Sequence, residues 1–506
     1  MGKATEYQSY YTKSEPILDY MTNMLDLKPQ DSIFEPCGGD GMFVDKILSK
    51  QPSAKISIFE LNPNAIYVLQ QKYSSNKNIT IKQTDTLIDD SIVTQKVLFD
   101  KIIGNPPYGA KNSNAKKDIL SQLYPNLYTK ESYTLFLYAC IQCLSEGGIL
   151  SFIIPDTFLS LHRHVEIRQY LLTHTKIKEL SMFPSSFFPG INFGYANLCI
   201  ITLQRSSDVA CNLSNTIKIR NGFSRVGELC NPTKGYIRTY SQSDIYNSIS
   251  SAFLFNSSDR INQLVNNFMC FRIGDIADCV TGFYSGNDKV YLRPKNADVK
   301  NAKKYRTVTE QEICARELTD DEKRNGIAGK AHFVPIVKGG NKQYVKTNEW
   351  FMDWSEAAVQ EYQSSKKSRF QNSSFYFKKN GIGIPMIRSS RLTAALINER
   401  LFDQSIVGVF PYQKELTMYL LAFFNSKVCT KLIEAINPST NNSANYIKKI
   451  PFIPPTKEQL EKVNVWILYI LNHIDNKENA ISLYERKLED VFEEVYGLKK
   501  QEFNTL

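Results

Sequence analysis

No apolar run in the sequence approaches the about 20 residues that a membrane span needs. The opening residues, MGKATEYQSYYTKSEP, lack the apolar core of a signal peptide. Met-Gly at the start suggests lipidation, but Glu6 stands where a myristoylation signal wants Ser or Thr. The ten cysteines are scattered, and the one close pair, Cys140 and Cys143, has no second pair and no nearby histidine. That spacing excludes a zinc site, and the helical pattern around the pair reads as two free thiols. No GxGxxG follows a strand, which excludes an ordinary dinucleotide fingerprint. Sequence repeats and a nuclease-like Asp…Glu-x-Lys cluster are also missing. The chain therefore reads as a cytoplasmic globular protein with no metal and no membrane partner.

The composition present is ordinary for such a protein, 42% hydrophobic and 22% charged. The net charge of +10 is unevenly spread. Residues 1–205 carry 20 basic and 19 acidic side chains, and the remainder carries 41 basic and 32 acidic. A basic region following a neutral one points to a polyanion held by the second region.

The first 205 residues alternate short apolar runs with helical patterns. Seven strands are expected, at Ser32–Cys37, Lys55–Leu61, Ile79–Asp85, Phe99–Asn105, Gly148–Pro155, Ile177–Phe183 and Ala196–Gln204. This rhythm predicts an α/β fold, a doubly wound, mostly parallel seven-stranded sheet with ligands at the carboxyl ends of its strands. Residues 206–250, rich in Ser, Asn and Thr, read as a connector. Residues 251–455 read as an irregular α+β domain, and 456–506 as a terminal helical segment.

Four strand ends carry the chemistry. Glu35, Pro36, Cys37, Gly38, Gly39 and Gly41 form a turn after the first strand, where glycines let the backbone approach a ligand. Glu60, followed by Leu61, ends the second strand, where a carboxylate can accept from ribose hydroxyls. Asp85 and Thr86 end the third, where a carboxylate can accept from an adenine's exocyclic amine. Glu35, Glu60, Asp85 and Asn105 are 25, 25 and 20 residues apart, about one βα unit each, so all four should line one sheet edge.

The fourth strand end reads Asn105-Pro106-Pro107-Tyr108. Two prolines stiffen the turn and leave the Pro106 carbonyl able to accept. Together with the Asn105 side chain it can accept both hydrogens of an NH2 group, drawing an aryl amine toward tetrahedral geometry. Tyr108 is placed to stack on the base that bears the amine. Phe188 is the candidate for a second stacking face, with Phe183 and Phe187 as alternatives. A base inside a duplex must be flipped out to reach such a site.

Taken in order, these segments resemble the gamma-class DNA adenine-N6 methyltransferases of restriction-modification systems. The resemblance implies S-adenosylmethionine as cofactor, with Thr12 in the segment that closes over its methionine part. It implies binding by Glu35 through Gly41, Glu60, Leu61, Asp85, Thr86, Asn105 and Pro107, and catalysis by Asn105, Pro106, Tyr108 and Phe188. Gly274–Ile276 with Gly282–Asn287, Pro335–Asn341 and Pro385–Arg391 resemble a target-recognition domain, with Lys338, Arg388 and Arg391 as candidate DNA contacts. The implied partners of this monomeric chain are double-stranded DNA and a separate restriction endonuclease. The rival readings are a bifunctional restriction-modification enzyme, an RNA or protein-glutamine methyltransferase, and a DNA-binding module without activity.

Overall fold

The computed structural model describes residues 12–108, 113–188, 197–255, 257–267, 269–339, 343–437, 439–474 and 479–499. The chain forms two compact units, Met1–Phe253 and Leu254–Leu506.

The first unit is built on one sheet. Its strands are β1 (Ser32–Glu35), β2 (Lys55–Glu60), β3 (Ile79–Gln83), β4 (Phe99–Gly104), β5 (Leu144–Pro155), β6 (Thr175–Pro184), β7 (Asn197–Arg205), β8 (Thr216–Asn221) and β9 (Tyr236–Ser241). Helices α1 (Glu15–Met24), α2 (Met42–Lys50), α3 (Pro63–Tyr73), α4 (Asp90–Val93), α5 (Asn114–Leu123), α6 (Ser132–Gln142) and α7 (Val165–His174) precede the first strand or join successive ones. The strand order is β3-β2-β1-β4-β5-β7-β6-β8-β9. Only β7 and β9 run against the others. The sheet is thus doubly wound and mostly parallel, with nine strands where seven were expected.

The two additional strands lie in the segment read as a connector. β8 pairs parallel to β6, and β9 closes on β8 as an antiparallel edge. Their polar composition has a physical reason. Arg220, inside β8, is buried and donates to the carbonyls of Leu229 and Lys234 at 3.0 and 3.1 Å and to Glu179 at 3.4 Å. β9 is mostly exposed, so it needs no apolar alternation.

After β1 the chain winds outward through β2 and β3, and β4 then returns to the other side of β1. The carboxyl ends of β1 and β4 therefore meet at a topological switch point, where doubly wound sheets bind ligands. Phe34 stacks on Phe99 with ring centroids 4.6 Å apart and meets Phe59 edge-on at 4.9 Å, tying β1 to both neighbours. The turn after β1 demands glycine. A Cβ on Gly38 would sit 2.3 Å from Cγ2 of Ile58, and Gly41 has a φ of +81° with Tyr73 against it.

The second unit is α+β. One sheet joins Ala277–Thr281, Ile406–Pro411, Ile382–Pro385, Ala395–Leu396 and Tyr344–Val345. Another joins Leu292–Pro294, Trp350–Asp353, Phe333–Val337 and Leu401–Phe402. Phe283, Trp354, Tyr362, Tyr376 and Phe402 fill its aromatic core. Helices Lys457–His473 and Asn479–Tyr496 follow, within the segment read as helical.

Gly38→Ala should destabilise the first unit by about 1–3 kcal/mol, the usual cost of overpacking, measured by urea unfolding. Combined with Ile58→Ala, the loss should be less than the sum of the two single losses, because the clashing methyl is gone.

Candidate functional site

Glu35 ends β1 at 2% exposure, and its Oε2 has no hydrogen-bond partner among the described residues. Burial first, then the Glu60, Asp40 and Asp45 carboxylates, hold its carboxyl well above the usual carboxylate range. A buried acceptor left unsatisfied costs about 1–3 kcal/mol. Such an oxygen among acids suits a cationic donor, for instance an ammonium group.

Glu60, also buried, ends β2 and sews the turn together. Its Oε2 accepts from the Gly39 N–H at 2.8 Å, and its Oε1 accepts from those of Leu61 and Asn62, both at 2.8 Å. The Gly38 N–H donates to the Phe59 carbonyl at 2.9 Å, a second stitch between the β1 turn and β2. Asp85 lies just beyond β3, where its Oδ1 accepts from the Leu87 N–H at 3.2 Å. Thr86 is buried, and its hydroxyl donates to the Pro36 carbonyl at 2.5 Å. Its side chain thus holds the β1 turn in place.

Beyond β4, the Asn105 amide nitrogen donates to Thr12 Oγ1 at 3.1 Å. The Asn105 backbone N–H donates to the Cys37 sulfur, while burial, helped by Glu35 and Glu60, pushes that thiol up. Pro106 and Tyr108 are buried, and Pro107 is half-buried. Thr12, Cys37 and Asn105 are thereby in direct contact, as are Gly39 and Glu60, and Pro36 and Thr86. Of the candidate stacking rings, Phe183 and Phe187 stack on each other at 5.7 Å, and Phe188 is buried.

The basic residues read as DNA contacts are engaged within the second unit. Lys338 pairs with Asp403 at 3.0 Å and Asp288 at 3.5 Å. Arg388 is buried and donates to Asn442 at 3.1 Å and to the Ser439 carbonyl at 3.3 Å. Arg391 donates to the Asn425 carbonyl and pairs with Glu489 at 3.7 Å, with 41% of its side chain exposed. A buried guanidinium must be paired to offset its desolvation, so Arg388 stabilises its own loop. Gly340 and Asn341, in the second of the three recognition stretches, fall outside the described residues.

Two residues not singled out from the sequence stand at the same edge. Lys116, in α5, pairs with Asp85 at 2.5 Å. Asp156 follows β5, the strand beside β4, and burial pushes its carboxyl up to about 6 against an opposing hydrogen bond from Asn197. The signal for Asp156 was available, since an acid ends β5 as Glu60 ends β2.

Sheet order, switch point and strand-end acids together define a doubly wound fold with its candidate site at the carboxyl ends of the strands. Residues 40–188 match the family described as Eco57I restriction-modification methylase. The chain is 26% identical over 234 residues to the type II methyltransferase M.AccI of Acinetobacter calcoaceticus, covering 43% of this chain and 41% of that one. It is 33% identical over 147 residues to the modification methylase CviBIII of Paramecium bursaria Chlorella virus NC1A, covering 29% of this chain and 36% of that one. The chain thus spans about two-fifths of the length of these curated relatives. A solved structure of the ATP-dependent Type ISP restriction-modification enzyme LlaBIII bound to DNA shares the fold, with a TM-score of 0.56 at 13% identity over 92% of this chain and 39% of that one. Through residues 40–188 the chain is thus similar to restriction-modification methylases.

Binding an ammonium at Glu35 requires its carboxylate form, so uptake of an ammonium-bearing ligand at that oxygen, with S-adenosylhomocysteine as the probe, should release a proton. Affinity should rise with pH, and the calorimetric heat should vary with the ionisation enthalpy of the buffer. In Glu35→Gln both dependences should shrink.

Proposed function

We propose that the chain is a site-specific DNA methyltransferase that transfers a methyl group from S-adenosylmethionine to N6 of a flipped-out adenine, as the modification part of a restriction-modification system. The observation that carries this reading is the contact of Asn105 with Thr12 and Cys37, at the strand end beside the Glu35–Glu60 turn. It brings an amine-accepting turn to the edge of a cofactor-like acid constellation.

The residues present fit the cofactor. The partnerless Oε2 of Glu35 would accept from its ammonium group, Glu60 from a ribose hydroxyl, and Asp85 from the adenine amine. Leu61, exposed just after Glu60, would offer an apolar face to the adenosine. When bound, the cofactor supplies an electrophilic sulfonium methyl.

Asn105 and the Pro106 carbonyl would accept the two hydrogens of the target NH2, pulling its lone pair out of conjugation and stabilising the positive charge that develops. Thr12, by accepting from the Asn105 amide nitrogen, fixes the rotation of that side chain so that Oδ1 is its acceptor for the amine. Tyr108, with Phe188, would sandwich the extruded base. Holding the amine in line with the methyl supplies much of the remaining catalysis without a strong base. The basic second unit would hold the duplex. Since Lys338 and Arg388 are spent on protein partners, exposed basic side chains elsewhere on that unit would carry most phosphate contacts, with Arg391 among the candidates. A monomer in the cytoplasm, working beside a separate endonuclease, completes the reading.

Radiolabelled S-adenosylmethionine incubated with duplex DNA, RNA and protein should label the duplex, and digestion should yield N6-methyladenine. Label confined to RNA or protein would overturn the proposal. Asn105→Ala should retain cofactor binding while turnover falls by about a hundredfold to a thousandfold, as on loss of a transition-state hydrogen-bonding group. DNA affinity should drop steeply with added salt. Charge reversals of exposed lysines beyond residue 254 should flatten that slope, whereas reversals in the first unit should not.

A further inference from the structure

α5 begins with a local rule broken. Its first turn, Asn114-Ala115-Lys116-Lys117, contains two lysines and no acid. Cations there oppose the helix dipole, which favours acids at the N-terminus. The helix is nonetheless well anchored. Ser113 caps it by accepting from the Lys116 N–H at 3.2 Å, Leu120 is fully buried, and the Tyr124 hydroxyl donates to the Leu87 carbonyl at 2.8 Å. Lys116 and Leu120 are spaced by four residues on one face of α5, and Tyr124 follows directly after its last turn. That face packs on the segment just after β3. Its N-terminal end places Lys116 Nζ 2.5 Å from Asp85 Oδ2.

The ion pair is not needed to hold the helix, since the cap, Leu120 and Tyr124 already do so. Its effect falls on Asp85, whose side chain is 12% exposed. The Leu87 N–H fixes one carboxylate oxygen and Lys116 the other. With both oxygens engaged, the carboxylate plane is set before any ligand arrives. A carboxylate offers about four acceptor positions, so it can still take a further donor at a fixed angle. Preorganisation of this kind lowers the ordering cost of binding.

We propose that Lys116 is a positioning residue for the cofactor's adenine, acting through Asp85. It makes the chain selective for a nucleobase with an exocyclic amine. This rests on the reading above that Asp85 receives that amine. It also gives α5, the helix that follows the Asn105–Tyr108 turn in the chain, a hand in cofactor recognition.

The test is titration calorimetry on the full chain with S-adenosylhomocysteine and S-inosylhomocysteine, in which a carbonyl replaces the exocyclic amine. Lys116→Met should weaken the adenosyl compound about tenfold, the scale of one charge-assisted hydrogen bond, and leave the inosyl compound nearly unchanged. Lys116→Arg should restore most of the preference. Thermal melting checks folding, and Lys116→Gln replaces the Met variant if that one melts early. Unchanged binding of both compounds would overturn the proposal, as would equal loss of both. Asp85→Ala separates the two readings. If it keeps the adenosyl preference, the assignment of the base to Asp85 fails; if it abolishes the preference and Lys116→Met does not, only the role of Lys116 fails.

Discussion

A buried carboxylate with a partnerless oxygen is expensive, and the first unit is organised around that cost at Glu35. The acid cannot be moved, because it ends the central strand β1, at the point where the sheet reverses its winding order. Its neighbours Glu60, Asp40 and Asp45 add to the difficulty. In the proposed reading that cost is offset by a visiting cation, the ammonium group of the cofactor.

The other features follow from keeping that turn rigid. Gly38 lets it lie against Ile58, Glu60 gathers three backbone N–H groups, and Thr86 fastens Pro36 from the third strand. The Asn105 turn is then coupled to the same body through Cys37, and the N-terminal segment is coupled to it through Thr12. The turns after β1 and β4 are thus parts of one hydrogen-bonded assembly that takes in the segments after β2 and β3 and the N-terminal Thr12. Rigidity of this order suits a reaction whose catalysis is largely positioning.

Much of this was legible in the sequence. β1, β2 and β4 begin at Ser32, Lys55 and Phe99, where the apolar runs begin, because strands buried on both faces leave a strong compositional trace, and the half-exposed edge strand β3 begins at Ile79, marked by its β-branched residues. The even spacing of Glu35, Glu60, Asp85 and Asn105 marked a common edge. β8 and β9 were not legible. A buried Arg220 satisfied by carbonyls reads as a polar loop residue, and an exposed edge strand carries no pattern. The partners of Lys338, Arg388 and Arg391 were hidden for a related reason. A sequence records a charge but not whether Asp403, Asn442 or Glu489 has already claimed it. Lys116 was missed because its partner lies in the turn after β3, 31 residues away in the chain.

Glu60 has one more consequence. With three of its roughly four acceptor positions filled by the backbone, the carboxylate can read one sugar hydroxyl well and a second one poorly. Discrimination among nucleoside-bearing molecules then falls on the two extremities, the amine at one end and the base at the other. In the proposed reading the sugar would act as a spacer, its length rather than its hydroxyl pattern deciding what fits. A cofactor lacking one ribose hydroxyl would be a tolerated substitute, and the chain's fidelity would be that of a ruler with two marked ends.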